Sequence, residues 1–460
     1  MHIKKLTPAA LLPAAQRTLD LAGRKAIALD RAWDVSRGTP VFTVKGVYTT
    51  RGWTEWTQGF QYGCAILAFD GTGDQRLLDL GRKRTVERMT LHLTHTGVHD
   101  HGFNNLSSYG NLRRLMLEGK IAHNDWELKY YELAIKLSGA VQAARWSDAE
   151  ALPGTDLPLG YVYSFNGPHS LFVDTMRTLR IMGVAHQLGH VLMGENDRRI
   201  SLLGRVITHG LTTRRFIVYP GTGRDSYDLR GRTAHEAIFN RNDGRFRCPS
   251  SQQGYSAFST WTRGLAWAML GFAEELEFLA SLPERQFKDA TTLSKSAVLK
   301  EFAQAAKDTC DFYIEHATAS DGIPYWDTGA PNLHKVEDWQ SRPSDPFNRH
   351  EPVDSSAATI AAQGLLRLGK YLGRQGTRYT QAGLTVAETL FSDAYLATSP
   401  KHQGLVLHSV YHRPNGWDYI PPGQSVPCGE SSLWGDYHAV ELAVYLQRLA
   451  TNKPYLKFFG

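Results

Sequence analysis

Twelve stretches in succession carry apolar residues at the 3.6-residue helical period, and no other feature limits the folds open to this chain so strongly. They fall at 8–32, 57–69, 74–94, 103–118, 123–143, 170–192, 195–214, 258–280, 296–318, 354–373, 375–395 and 431–450. Strand-like alternation is confined to "GTPVFTVKG" at 38–46 and short pieces near 405–413. Helices with short joins pair as hairpins, and each must bury its apolar face. The expectation is an all-α chain in which six inner and six outer helices close as a double ring. The 460 residues, 42% of them apolar, suffice for a large packed core. No linker or low-complexity tract divides the chain, so one domain over 1–460 is expected.

Three long connections, 215–256, 319–353 and 397–430, are rich in Gly, Pro, Asn, Asp and aromatic residues. Loops of that length in a compact domain are usually functional, and a helical ring would hold them over one end. The charge balance is 51 basic to 45 acidic residues, a net +6 without a long basic run. Nucleic acid is therefore not indicated, whereas an anionic small substrate suits the sign. Cys64, Cys248, Cys310 and Cys428 lie far apart and form no CxxC pair, which argues against a zinc knuckle or redox motif. No stretch of ~20 apolar residues occurs, so no membrane span is expected. The first residues lack a sustained apolar run, being interrupted by Gln16, Arg17 and Asp20. The cytoplasm is the simplest location, with the periplasm as the alternative if a leader was removed. Monomer and dimer are both open.

Candidate chemistry begins at "HDHGF", residues 99–103. On a helix His99 and His101, two apart, point in different directions, and no HExxH partner exists, so neither metal nor organic cofactor is expected. Asp100 reads either as a helix cap or as a working carboxylate. In "HSLFVDTMRTLRIMG", Asp174 stands among Leu171, Phe172, Val173 and Met176. Burial there should raise its pKa, as suits a general acid, although a salt bridge to Arg177 is the plainer reading. Two carboxylates on different helices are the minimum for acid/base chemistry on a sugar. "SSQQGYSAFSTWTRGLAWAMLGF", 250–272, gathers Gln253, Trp261, Arg263 and Trp267 at a loop-to-helix junction. Trp261 and Arg263 there offer a stacking face and a carboxylate fork, while Trp267 reads equally as core.

These segments together resemble the unsaturated glucuronyl hydrolases, a glycoside hydrolase family acting on 4,5-unsaturated uronic acids left by polysaccharide lyases. "WTEWTQGF" at 53–60, "HDHGF", "VDTMRTL", "TAHEAIFN", the 250–272 segment, "DGIPYWD", "DSSAATIAAQGLL" and "LWGDYHAVEL" carry the resemblance along most of the chain. It implies an (α/α)6 toroid of six hairpins, with Asp174 as acid/base catalyst and Asp100 as a second essential aspartate. It also implies a sugar-binding set of His235, Gln253, Trp261, Arg263 and Trp267, with Trp56 and Phe60 in the wall. The expected partner is an anionic oligosaccharide, and the expected reaction is hydration of an enol ether. The chain departs from the signature at Ala257–Phe258 and at Leu265, and the loop 412–432 matches no family pattern. The alternatives are an unsaturated rhamnogalacturonyl hydrolase, which typically relies on one aspartate, a glycosidase of saturated uronides, and a non-enzymatic sugar-binding toroid.

Overall fold

The computed structural model describes every residue except Trp53, Thr54, Leu152, Pro153, Asp156 and Gly460, so the first two residues of "WTEWTQGF" lie outside the described part. Helices at Gln58–Thr72, His101–Asn104, Thr175–Thr178, Thr262–Ser281, Ser355–Leu372 and Leu433–Ala450 follow one another around an inner ring. The ring closes where Leu433–Ala450 packs against Gln58–Thr72. Outside it lie Pro8–Ala32, Gln75–Arg88, Asp125–Ala144, Leu202–Phe216, Lys295–Phe312 and Thr377–Leu390. The architecture is an all-α (α/α)6 toroid.

The two rings differ in sequence because they differ in surroundings. Every residue from Thr262 to Leu279, and from Ser355 to Gly369, is buried, since inner helices have neighbours on all sides. The outer helix Pro8–Ala32 buries only a stripe that includes Leu11, Ala15, Leu19 and Ala22. Side-chain caps set the helix starts: Asp354 accepts from the backbone N–H groups of Ser356 and Ala357, and Ser432 from that of Gly435.

Several periodic stretches are not α-helical throughout. Residues Ser170–Phe172, expected to open a helix, form the edge of an antiparallel sheet with Glu236–Phe239 and Phe246–Ser250. A short apolar run fits a buried strand as well as a helix, and pairing decided it. The pieces near 405–413 make only an isolated bridge, Leu396 with Val406, rather than a strand. The stretch at 103–118 is interrupted by a π-helical turn, Leu106–Gly110. A helix at Glu284–Ala290 and the hairpin of Trp146–Ala149 with Leu159–Val162 were not anticipated.

Close approach between inner helices is enforced by glycine. A Cβ on Gly102 would stand 2.2 Å from the Thr178 carbonyl oxygen, and one on Gly59 would stand 2.1 Å from that of Asn104. Any larger residue would part Gln58–Thr72, His101–Asn104 and Thr175–Thr178, which meet at one end of the ring.

Candidate active site

Gly102 and Thr178 bring together the starts of two short helices, and the residues just before those helices are Asp100 and Asp174. The Thr178 hydroxyl donates to the His99 carbonyl at 2.9 Å, fixing the same junction. Asp100 stands at the N-cap position, yet its side chain makes no cap hydrogen bond, so the helix-cap reading fails. Strand pairing adds a third residue. Phe172 lies opposite Glu236, and the Val173 N–H donates to the His235 carbonyl at 3.0 Å, which sets Asp174 beside His235.

His99 joins the two carboxylates. Its Nε2 lies 3.8 Å from Asp100 Oδ1 and 3.7 Å from Asp174 Oδ2, and the ring is 1% exposed. Burial opposes charge on His99, but the two aspartates more than offset it and raise its pKa. Burial likewise raises Asp100; the Asp174 charge adds to this, the His99 charge opposes it, and the result stays above the usual carboxylate value. For Asp174, burial pushes upward but His99 outweighs it, so the carboxyl lies below its ordinary value. The expected upward shift of Asp174 is thus reversed, because nothing in the residues around Asp174 signals that an imidazole faces it. The expected salt bridge to Arg177 is also absent, since that guanidinium turns to Glu274 at 2.7 Å and Glu441 at 2.8 Å. Asp174 Oδ1 is buried without a protein hydrogen-bond partner.

The two histidines of "HDHGF" diverge. His101 Nδ1 meets Ser138 Oγ at 2.8 Å and its Nε2 meets the His95 carbonyl at 3.0 Å. Burial lowers its pKa to about 3, so it is a neutral structural group. His235 is neutral too, burial lowering its pKa to about 4. Its Nδ1 accepts from the backbone N–H groups of Gln252 and Gln253, which places the proton on Nε2, a buried donor without a partner beside Asp174.

Donor atoms of His99, Asp100 and Asp174 all lie within 4.8 Å of one another, which is the spacing a metal ion would use.

Arg263 reaches the site region with its fork already engaged. Nη1 donates to Asp354 at 3.0 Å and to the Val410 carbonyl; Nη2 donates to Gln253 Oε1 at 3.0 Å and to the Tyr411 carbonyl at 2.8 Å. The guanidinium is sandwiched between the rings of Trp261 at 4.5 Å and Trp434 at 4.9 Å. The fork expected for a substrate carboxylate instead holds the loop after Val410, whose other side Asp418 grips through the backbone N–H groups of Tyr411 and His412. Trp261 also packs on His235, with ring centroids 4.8 Å apart.

Phe60 and Trp267, expected in the sugar wall, are core residues, 0% and 2% exposed, both packed on Phe103 and His438. Trp56 is partly buried and stacks on Trp434 at 5.2 Å. Sequence reasoning overlooked Asp354 and Trp434 as partners of Arg263. It also overlooked Phe165, whose ring stacks on His99. Only the motifs around Asp354 and Trp434 were visible in advance.

The fold places the chain among the (α/α)6 toroids. Within that class its relatives are the unsaturated glucuronyl hydrolases. It is 26% identical over 412 residues to the unsaturated glucuronyl hydrolase of Bacillus sp. strain GL1, covering 87% of this chain and 89% of that one. With the unsaturated glucuronyl hydrolase of Formosa agariphila it shares 24% over 397 residues, covering 86% and 80%. The crystal structure of the Bacillus enzyme, described as responsible for the degradation of glycosaminoglycan, superimposes with a TM-score of 0.68 at 22% identity, covering 95% and 97% of the two chains. No family model matches the chain.

Proposed function

We propose that the protein is a glycoside hydrolase that removes a 4,5-unsaturated uronic acid from the non-reducing end of lyase-generated oligosaccharides, by acid-catalysed hydration of the C4=C5 enol ether. The observation that carries this reading is the buried trio in which His99 faces both Asp100 and Asp174 while Asp174 Oδ1 has no protein partner. The similarity to unsaturated glucuronyl hydrolases and the +6 charge support it.

In the resting site the imidazole of His99, facing Asp174 at 3.7 Å, holds a proton more tightly than the Asp174 carboxyl does. An arriving uronate displaces solvent, and loss of solvation around the ion pair moves the proton onto Asp174. Asp174 protonates C4, and positive charge develops at C5, shared with the ring oxygen. Water then adds at C5 and returns a proton to Asp174. The product is a hemiketal that opens and releases the neighbouring sugar without attack at C1. The neutral His235 presents Nε2–H where it can hold the water or a substrate oxygen.

The carboxylate spacing bears on the conventional-glycosidase alternative. The nearest oxygens of Asp100 and Asp174 lie within 4.8 Å of each other, which favours a close-set pair over the ~6.5–9.5 Å separation of the carboxyls in an inverting enzyme. A retaining mechanism remains to be separated by isotope. Reaction in D₂O on an unsaturated disaccharide should place deuterium at C4, with saturated glucuronides turned over poorly. Asp174→Asn should lower kcat by ~10²–10⁴-fold while substrate still binds. Brisk cleavage of a saturated glucuronide with solvent ¹⁸O at C1 would overturn the proposal.

A further inference from the structure

The loops that deliver His235 and Arg263 also carry aromatic rings to the surface. Tyr227 and Phe258 stack with centroids 4.3 Å apart and planes 20° apart, yet they remain 46% and 44% exposed. Tyr255 is 50% exposed and Leu229 45%, so two loops present large apolar side chains together. Phe258 occupies the point where the 250–272 segment departs from the family signature.

The surroundings hold this pair in place. The Tyr255 N–H donates to buried Asp327 at 2.8 Å, and the N–H groups of Phe258 and Ser259 donate to Ser256 Oγ at 3.2 and 3.0 Å. Arg232 Nη1 donates to the Tyr227 carbonyl, and its guanidinium lies 5.5 Å from the centre of the Tyr227 ring. The patch is continuous with the candidate site. Gln252 and Gln253 bind His235 through their backbone, the Gln253 side chain meets Arg263, and the Thr233 N–H donates to Thr260 Oγ1 at 3.3 Å between the two loops. A fixed, exposed aromatic surface on the loops that deliver site residues marks a binding site, and flat rings match the C–H face of a sugar.

We propose that Tyr227 and Phe258 form a stacking subsite for a pyranose ring of the substrate's leaving-group chain, beyond the two sugars whose bond is broken. The proposal rests on the reading of the site given above and extends it from disaccharides to longer chains.

The test compares steady-state kinetics of the full chain on unsaturated di- and tetrasaccharides of one repeat, for the wild type, Tyr227→Ala, Phe258→Ala and Phe258→Trp. Each alanine variant should raise KM for the tetrasaccharide by about 3–10-fold and leave the disaccharide constants unchanged, while Phe258→Trp keeps the preference. An equal change on both lengths, or none on the tetrasaccharide, would overturn it. So would conversion of a wild-type dimer to a monomer on sedimentation of Phe258→Ala, which would make the patch a subunit interface. If the wild type cleaves neither substrate, the reading of the site fails on its own account. Calorimetric titration of the tetrasaccharide into wild type and Phe258→Ala then decides the subsite, with a weaker variant supporting it and equal binding refuting it.

Discussion

Replacing His99 by glutamine removes the charge that faces both aspartates while keeping a polar side chain of similar length. At 3.7 and 3.8 Å, an imidazolium attracts each carboxylate by about 4 kcal/mol at an effective dielectric constant of 20. Those attractions hold the last proton of the trio on His99 above the ordinary histidine value of ~6.5. Without the imidazole, that proton can reside only on the Asp100–Asp174 pair, where burial favours it but the starting value is the ordinary ~3.9 of an aspartate. The basic limb of kcat/KM should therefore move to lower pH by at least about one unit, equivalent to ~1.4 kcal/mol. On the acid side of the new limb, a large part of kcat should survive, because Asp174 still donates. The assay is the fall in ultraviolet absorbance of the unsaturated uronate across the pH range, with circular dichroism confirming the fold. An unmoved limb would show that His99 does not share the catalytic proton. A limb displaced to higher pH would show that it only suppresses protonation of Asp174.

Three further outcomes follow from the same contacts. Arg263→Ala strands buried Asp354 without its cation and should cost ~3–5 kcal/mol in urea unfolding as well as turnover; unchanged stability with only a raised KM would restore the substrate-fork role. Gly102→Ala puts a Cβ 2.2 Å from the Thr178 carbonyl, so melting should show a loss of ~1–3 kcal/mol and kcat should fall with the displaced aspartates; wild-type melting and turnover would show that the helices yield easily. Burial alone would raise Asp70, but Arg114, Arg448 and Lys120 hold its carboxyl at about 2. Its stabilisation is then complete above the unfolded value of ~3.9 and lost as pH falls through about 2, so Asp70→Asn should cost ~2–3 kcal/mol at pH 7 and progressively less toward pH 2; an equal cost at both ends would refute the ion-pair account.

The ring of helices was legible because the longer helices repeat apolar residues at helical period, and a local pattern is all that such a reading needs. The pairing of Asp100 with Asp174 was legible only through the family resemblance, since periodicity set Asp174 inside a helix over 170–192 rather than just before a short one. What decided their protonation was not legible. His99 and His101 look alike in "HDHGF", and only the fold turns one toward the carboxylates and the other toward Ser138. Arg263 misled for a related reason: its acceptors at Val410 and Tyr411 lie far along the chain, in a loop with no pattern of its own. The resemblance alone implied a wall role for Phe60 and a sugar-binding role for Trp267, and large aromatic side chains serve the core equally well. The strand Ser170–Phe172 was hidden by a run apolar on every side.

The inner ring has a seam, and its position sets the order in which the protein becomes functional. Leu433–Ala450 lies against both Pro8–Ala32 and Gln58–Thr72, with Gln447 donating to Gln16 at 2.9 Å and Arg448 paired with Asp70 at 2.9 Å. A nascent chain has synthesised Asp100, Asp174 and His235 long before that helix leaves the ribosome, but Trp434 and the loop that Arg263 grips emerge near the end. Until then the helix Gln58–Thr72 has an apolar flank with nothing to cover it. Closing contacts so distant in sequence form slowly, and open intermediates of this kind are prone to aggregate. Translation halted before residue 433 would thus leave an incomplete ring with both aspartates synthesised and no working site, a species for chaperones and proteases rather than for substrate.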